Sequence, residues 1–256
     1  MKGFFIQDLK RSFFNRGFLV GVGGLTAMFL YTAVIWSGLN GSQDSYFILV
    51  DAWAISGFIP MLPVFPVLAY ASRFCEEYGS GYYRMIFARM RPEKFALVRM
   101  TSAGLSGGCA VAIPILILCL AADWFGVSEI TDPNALRVPG DLKMVVISMK
   151  YGYGTLVFLK VLLGFLFGAT WAMIGLVFGV WFLNKYVSLI GPFVLYEALW
   201  ILCDGKLGIL SPTQLVRGDG VDYGAGYGLP LALECVWLLF IAGIVLLSFR
   251  KRFANE

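Results

Sequence analysis

The chain has 256 residues, 59% of them hydrophobic and only 14% charged, with a formal net charge of +4 and no histidine. Soluble domains carry about 25% charged residues, and so large an apolar share cannot be hidden in one soluble core, so the bilayer is the expected solvent. The absence of histidine excludes histidine-based zinc sites, histidine general bases and Ser-His-Asp triads.

Residues 1–16, MKGFFIQDLKRSFFNR, set Phe5, Ile6, Leu9 and Phe13 on one helical face. Lys2, Asp8, Lys10, Arg11 and Asn15 fall mostly elsewhere. This pattern predicts an amphipathic helix lying in the membrane interface with its basic side chains toward lipid phosphates. The charged start, with no small-residue cleavage site after the first apolar run, argues against a cleaved signal peptide.

Six apolar runs follow, at about 17–37, 52–72, 99–122, 154–183, 187–204 and 229–249. Each approaches or exceeds the roughly 20 residues needed to cross the hydrocarbon. The expectation is a single all-α polytopic domain over 1–256 with six transmembrane helices. Of the 20 lysines and arginines, 14 fall on the side that carries the N-terminus, and RKR follows the sixth run. By the positive-inside rule both termini are expected in the cytoplasm, and a bacterial cytoplasmic membrane is the expected location.

Between the second and third runs lies the most polar internal segment, 73–98, with Arg73, Arg84, Arg89, Arg91 and Lys94 against Glu76, Glu77 and Glu93. It is too short for a domain and long enough for one or two short helices at the inner face. The outer loops are 38–51, 123–153 and the glycine-rich 205–228. Pro60, Pro63 and Pro66 stand three apart in the second run and are expected to kink it. In the fourth run Gly164, Gly168, Ala172, Gly175 and Gly179 draw a stripe of small residues down one face. Such a stripe lets helix backbones approach closely, either within the chain or between two copies. Gly17–Gly21 and Gly104–Gly108 repeat the spacing more weakly.

The catalytic and metal motifs are missing. There is no GxxxxGK[ST], and the five cysteines, Cys75, Cys109, Cys119, Cys203 and Cys235, make no CxxC pair and read as packed thiols. No catalytic residue, metal site or cofactor is expected in the chain itself. The basic residues follow the membrane surface rather than a soluble face with stacking platforms, which argues against nucleic acid. Three ionisable residues fall inside apolar runs: Lys160, Glu197 and Glu234. Charges in lipid are expensive and mark functional candidates by default. Lys160 and Glu234 fall at similar shallow depths and are expected to pair, with snorkelling of Lys160 the competing account. Glu197 is expected deeper, facing a polar cavity or carrying a proton.

The order of these parts resembles the permease subunits of type-2 ABC exporters. In that family the segment after the second span opens acidic-x-x-Gly-Thr, passes through basic residues to Pro or Arg, and ends at a Lys opening the third span. Glu76, Glu77, Gly79, Ser80 and Gly81 match the opening, Arg91 and Pro92 the middle, and Arg99 stands for the usual Lys. Ser211-Pro212 resembles the family's outer re-entrant region. The threonine is absent and the interval from Gly to Pro is longer. The resemblance implies a coupling helix over Glu76, Glu77, Tyr78, Gly79, Gly81, Tyr82, Arg84, Arg89, Arg91 and Pro92. It also implies two copies of a separate ATPase subunit holding ATP and magnesium, and a second permease, identical or homologous. The implied cargo is hydrophobic or amphipathic: an antimicrobial or toxin peptide, a drug or a lipid-like molecule. An ion-coupled transporter or channel using Glu197 and Lys160 is the alternative.

Overall fold

The computed structural model describes residues 2–40, 49, 59–87, 91–125, 147–148, 150–203, 207–218 and 227–254. Arg89, most of the loops 38–51 and 123–153, and residues 219–226 of the loop 205–228 lie outside them, as do the side chains of Tyr82 and Arg84.

Every element among the described residues is helical. Helix α1 spans Lys2–Phe13 and α2 Arg16–Asn40, followed by a 3-10 turn at Ile59–Met61. Three short helices come next: α3 (Val64–Leu68), α4 (Ala71–Gly79) and α5 (Tyr82–Phe87). The long helices α6 (Pro92–Phe125), α7 (Tyr153–Phe182) and α8 (Lys185–Cys203) follow. A 3-10 turn at Gly208–Leu210, the short α9 (Pro212–Arg217) and the long α10 (Gly228–Ala254) complete the chain.

Five of these helices, α2, α6, α7, α8 and α10, are long and apolar enough to cross a membrane. The expected runs at 154–183, 187–204 and 229–249 correspond to α7, α8 and α10 within a few residues, the last extended to Ala254. The third differs most. Its helix begins seven residues before 99, at Pro92, because proline with its fixed φ and missing N–H suits the first helical turn. Glu93, Lys94 and Phe95 therefore form the first turn of the long helix α6. The second run is not one helix in its described part: Pro60, Pro63 and Pro66 divide it into the 3-10 turn and α3.

Helix α7 is the axis of the bundle, packed against α3, α4, α6, α8 and α10, with α6 its most extensive neighbour. The small-residue stripe makes this approach possible. Gly164 lies under Ile115 and Val111, and Gly168 lies against the Gly107 carbonyl and Val111. On the facing helix, a Cβ at Gly108 would stand 2.6 Å from the Phe165 ring and 2.9 Å from its carbonyl oxygen. Gly175 and Gly179 use their carbonyls instead, accepting from Ser188 Oγ at 2.8 Å and Cys75 Sγ at 3.7 Å. The stripe is thus filled from within the chain. Gly17 and Gly21 likewise face the backbone of Leu68 and Phe65, seating α3 on α2.

The outer helices α2, α8 and α10 leave large apolar side chains uncovered, among them Leu19, Val20 and Val34, Ile190, Val194 and Ile201, and Val236, Leu239 and Phe240. Soluble monomers rarely expose such continuous apolar faces. With the length of the five helices, this fits a multi-pass helical membrane protein. All five cysteines are free.

Candidate functional site

Polar residues gather at one end of the bundle, where α1 and the last turns of α10 meet the first turns of α6. Phe4 of α1 lies 6.2 Å from Phe95 of α6, and Phe95 lies 6.3 Å from Phe253 of α10. The ends of α4 and α10 meet there too: Phe74 stands edge-on to Phe249 at 5.2 Å, and Arg252 Nη2 donates to Tyr78 Oη at 3.1 Å.

Arg99 is the centre of this end. It sits two turns into α6 and is 1% exposed. Its Nη1 donates to Asp8 Oδ1 of α1 at 2.5 Å and also to the Tyr70 hydroxyl. Its Nη2 pairs with Glu77 Oε2 of α4. Tyr70 Oη in turn donates to Asp8 Oδ2 at 2.6 Å, closing a ring of three side chains. The guanidinium also lies 4.9 Å from the Phe95 ring centroid and within 6 Å of the Phe4 and Tyr70 rings, where ring quadrupoles attract a cation. A planar fork with five donors suits this geometry, and a lysine would satisfy only part of it.

The knot joins three stretches far apart in sequence: the interfacial helix, the segment after the second apolar run, and the start of α6. Asn15 adds a parallel tie. Its Oδ1 accepts from Phe18 N at 2.7 Å, capping α2, while its Nδ2 donates to Ala69 O at 2.7 Å. Asp8, expected off the apolar face of α1, is buried, because its carboxylate neutralises Arg99.

The implied coupling residues divide into two groups. Glu76, Gly79 and Arg91 are exposed. Glu77 turns inward, and burial holds its carboxyl above the usual carboxylate range, with the Arg99 guanidinium opposing part of that rise. The segment is not one short helix. Helix α4 ends at Gly79 with Ser80 as its C-cap, Gly81 takes φ +71°, and α5 starts at Tyr82. Only glycine adopts that left-handed turn without strain. Tyr78 and Tyr83 then stack at 4.7 Å across the turn, and Tyr83 packs 6.2 Å from Phe253. Pro92 opens α6. Beside this surface, Cys75 and Glu76 line a cavity of about 400 Å³ with Asn184 and Lys185 of the α7–α8 turn.

At the opposite end the expected Lys160–Glu234 pair is not formed. Lys160 is 3% exposed, and its ammonium donates to the Arg217 carbonyl at 2.8 Å, 5.5 Å from the Tyr227 ring centroid. The described salt bridges are both those of Arg99. Lys160 thus takes up a carbonyl at the C-terminus of α9, where a helix end presents partial negative charge. Glu234 is 3% exposed and lies near Tyr196, whose hydroxyl shares a 3.0 Å hydrogen bond with Thr213 of α9. Glu197 is half-buried, and its Oε1 has no hydrogen-bond partner among the described residues.

Sequence reasoning missed Asp8 and Tyr70, and it read Arg99 only as a motif position. One signal was present: Asp8 is the single acid in an otherwise basic interfacial helix. No metal-binding group of histidine, cysteine and carboxylate side chains occurs among the described residues. Compared with known proteins, the chain matches no family model, no curated protein and no solved structure.

Proposed function

We propose that the chain is the membrane-spanning subunit of an ATP-driven exporter, working with two copies of a separate ATPase subunit. The supporting observation is the Arg99 knot. It ties the interfacial helix and the α4–α5 segment to one long membrane helix, so a push on the exposed side of α4 is delivered to α6 and α1 together. A force-transmitting element needs such rigid attachment, and Glu76, beside the ties, supplies an exposed acid for a docking partner. The basic end is the cytoplasmic one by the positive-inside rule. Asn15 holds Ala69 beside the start of α2, so the chain returns to that end between Asn40 and Ala69. We read this return as a sixth crossing, expected at 52–72. The cargo is a hydrophobic or amphipathic molecule, with an antimicrobial or toxin peptide favoured and a drug or lipid-like molecule the alternatives.

Glu76→Lys is the direct test, because Glu76 is exposed and its reversal leaves the knot intact. The expected result is normal membrane insertion, an ATPase that no longer co-purifies at wild-type levels, and transport reduced at least about tenfold, as for loss of one charge-pair anchor of 1.4 kcal/mol or more. Wild-type co-purification and transport in this variant overturn the docking assignment. Absence of any ATPase bound to the wild-type chain extracted from its own membrane overturns the exporter reading.

With the glycine stripe occupied inside the chain, we propose α2 and α8, whose apolar faces are exposed, as the seam with a second permease copy. Single cysteines at Val34 and Ile201 are expected to cross-link between copies in the active complex. Cross-linking only at positions on α10 moves the seam there and removes the proposed one.

The buried Glu234 beside Tyr196, and the Glu197 Oε1 without a described partner, favour a second reading: ion-coupled transport. Uptake or efflux by the purified chain alone in vesicles, driven by an ion gradient, selects this reading over the first.

A further inference from the structure

Between the first turns of α6 and the last turns of α10 lies a cavity of about 650 Å³. That falls within the roughly 300–1,000 Å³ of ligand pockets. Its apolar wall is formed by Leu97, Leu247 and Phe249, and its rim carries Arg91 and Arg250 with Glu93 beside them. Phe249 is buried at the base, whereas Leu97 and Leu247 are 46% and 65% exposed, so the apolar side opens away from the bundle. Both arginines are exposed, and neither takes part in the described salt bridges.

From this geometry we infer that the groove is a binding site for one anionic phospholipid. The headgroup phosphate lies between Arg91 and Arg250, and an acyl chain runs along Leu97 and Leu247. Three features select this occupant. The groove stands at the basic end of two apolar helices, which is the level of the lipid phosphates. Its cations and its apolar wall lie on one continuous surface, matching a molecule with an anionic head joined to a hydrocarbon tail. Basic pockets between membrane helices are also suited to anionic headgroups, each nearby cation adding to the attraction. Glu93 opposes an anion, and the two arginines outnumber it. A soluble acidic partner would use the arginines and leave the apolar wall without a contact.

Arg250 stands at the end of α10 and Arg91 immediately before α6. A lipid held by both would join those helix ends, next to Phe95, which carries the Arg99 cation on its ring. The inference needs only that the chain spans a membrane. It stands or falls separately from the ATPase partner.

The test uses the full chain in nanodiscs, with phosphatidylglycerol titrated into a phosphatidylcholine background and bound lipid counted by native mass spectrometry after release. The wild type is expected to retain one phosphatidylglycerol. The double variant Arg91→Gln, Arg250→Gln is expected to retain it about tenfold more weakly. Lys251→Gln removes a nearby exposed charge outside the groove and is expected to retain the lipid as the wild type does. Equal loss in the Lys251→Gln chain means general surface attraction and overturns the site. Equal retention of phosphatidylcholine, or protection against heat by inorganic phosphate to the same degree as by phosphatidylglycerol, also overturns it. So does a double variant that folds and keeps its lipid.

Discussion

Replacing Arg99 with alanine is expected to remove most folded protein from the membrane. The substitution takes away a cation that is 1% exposed and leaves Asp8 and Glu77 without their partner. Breaking a buried ionic network by deleting one member costs about 3–5 kcal/mol, because the remaining charges stay desolvated. That is a large part of the 5–15 kcal/mol that holds a typical domain together. Arg99→Lys is expected to recover only part of the loss, since a single ammonium cannot bridge Asp8, Tyr70 and Glu77 together. The discriminating variant is the triple Arg99→Met, Asp8→Asn, Glu77→Gln. It removes all the formal charge and is expected to fold far better than Arg99→Ala, since replacing a whole buried network is often close to neutral. Its transport is expected to stay low, because α1 and α4 are no longer tied to α6. The measurements are yield of monodisperse protein in detergent, the midpoint of thermal unfolding, and transport at matched protein amount. A stable Arg99→Ala chain with wild-type transport would show that the knot carries neither stability nor force.

The architecture was legible where the physics is local. The apolar runs that became α2, α7, α8 and α10 follow from length and composition alone, since each approaches or exceeds the length that crosses the hydrocarbon. The glycine stripe was legible as a close-approach surface, although its partner on α6 was not. The start of α6 was misplaced, because the run of charges from Arg91 to Arg99 read as surface while Pro92 was setting the first helical turn. The knot itself was illegible. Asp8 and Arg99 are 91 residues apart, and nothing local to either shows that α1 folds back on α6. The same limit applies to Glu77. Beside Glu76 it reads as half of an acidic pair, yet a helical turn of about 100° per residue sends the two side chains to different faces. One became an exposed docking candidate and the other a buried counter-ion.

The other large effect is expected at the far end of the bundle. Lys160→Glu is expected to abolish the folded protein, and adding Glu234→Lys is expected not to restore it. Depth along two neighbouring helices suggested that these residues neutralise one another. The structure gives Lys160 a carbonyl instead, that of Arg217, at the last residue of α9. That helix is only six residues long, and the left-handed Gly218 ends it. A helix so short holds its place by side-chain docking, through Pro212, Leu215 and Val216, and by whatever satisfies its terminal carbonyls. Lys160→Met keeps the length of the stem and removes the donor. It is expected to cost about 1–3 kcal/mol, the penalty for leaving a buried acceptor unsatisfied, and to loosen α9. Lys160→Glu sets a carboxylate against that carbonyl and is worse. The charge exchange then fails, because Glu234→Lys adds a cation near Tyr196 and returns no donor to Arg217. Hydrogen exchange over 207–218 distinguishes the accounts. Faster exchange confined to that stretch in Lys160→Met, with an unrescued double exchange variant, is the expected result. Recovery of folded yield by the exchange would instead make Lys160 and Glu234 partners and leave α9 held by its apolar contacts alone.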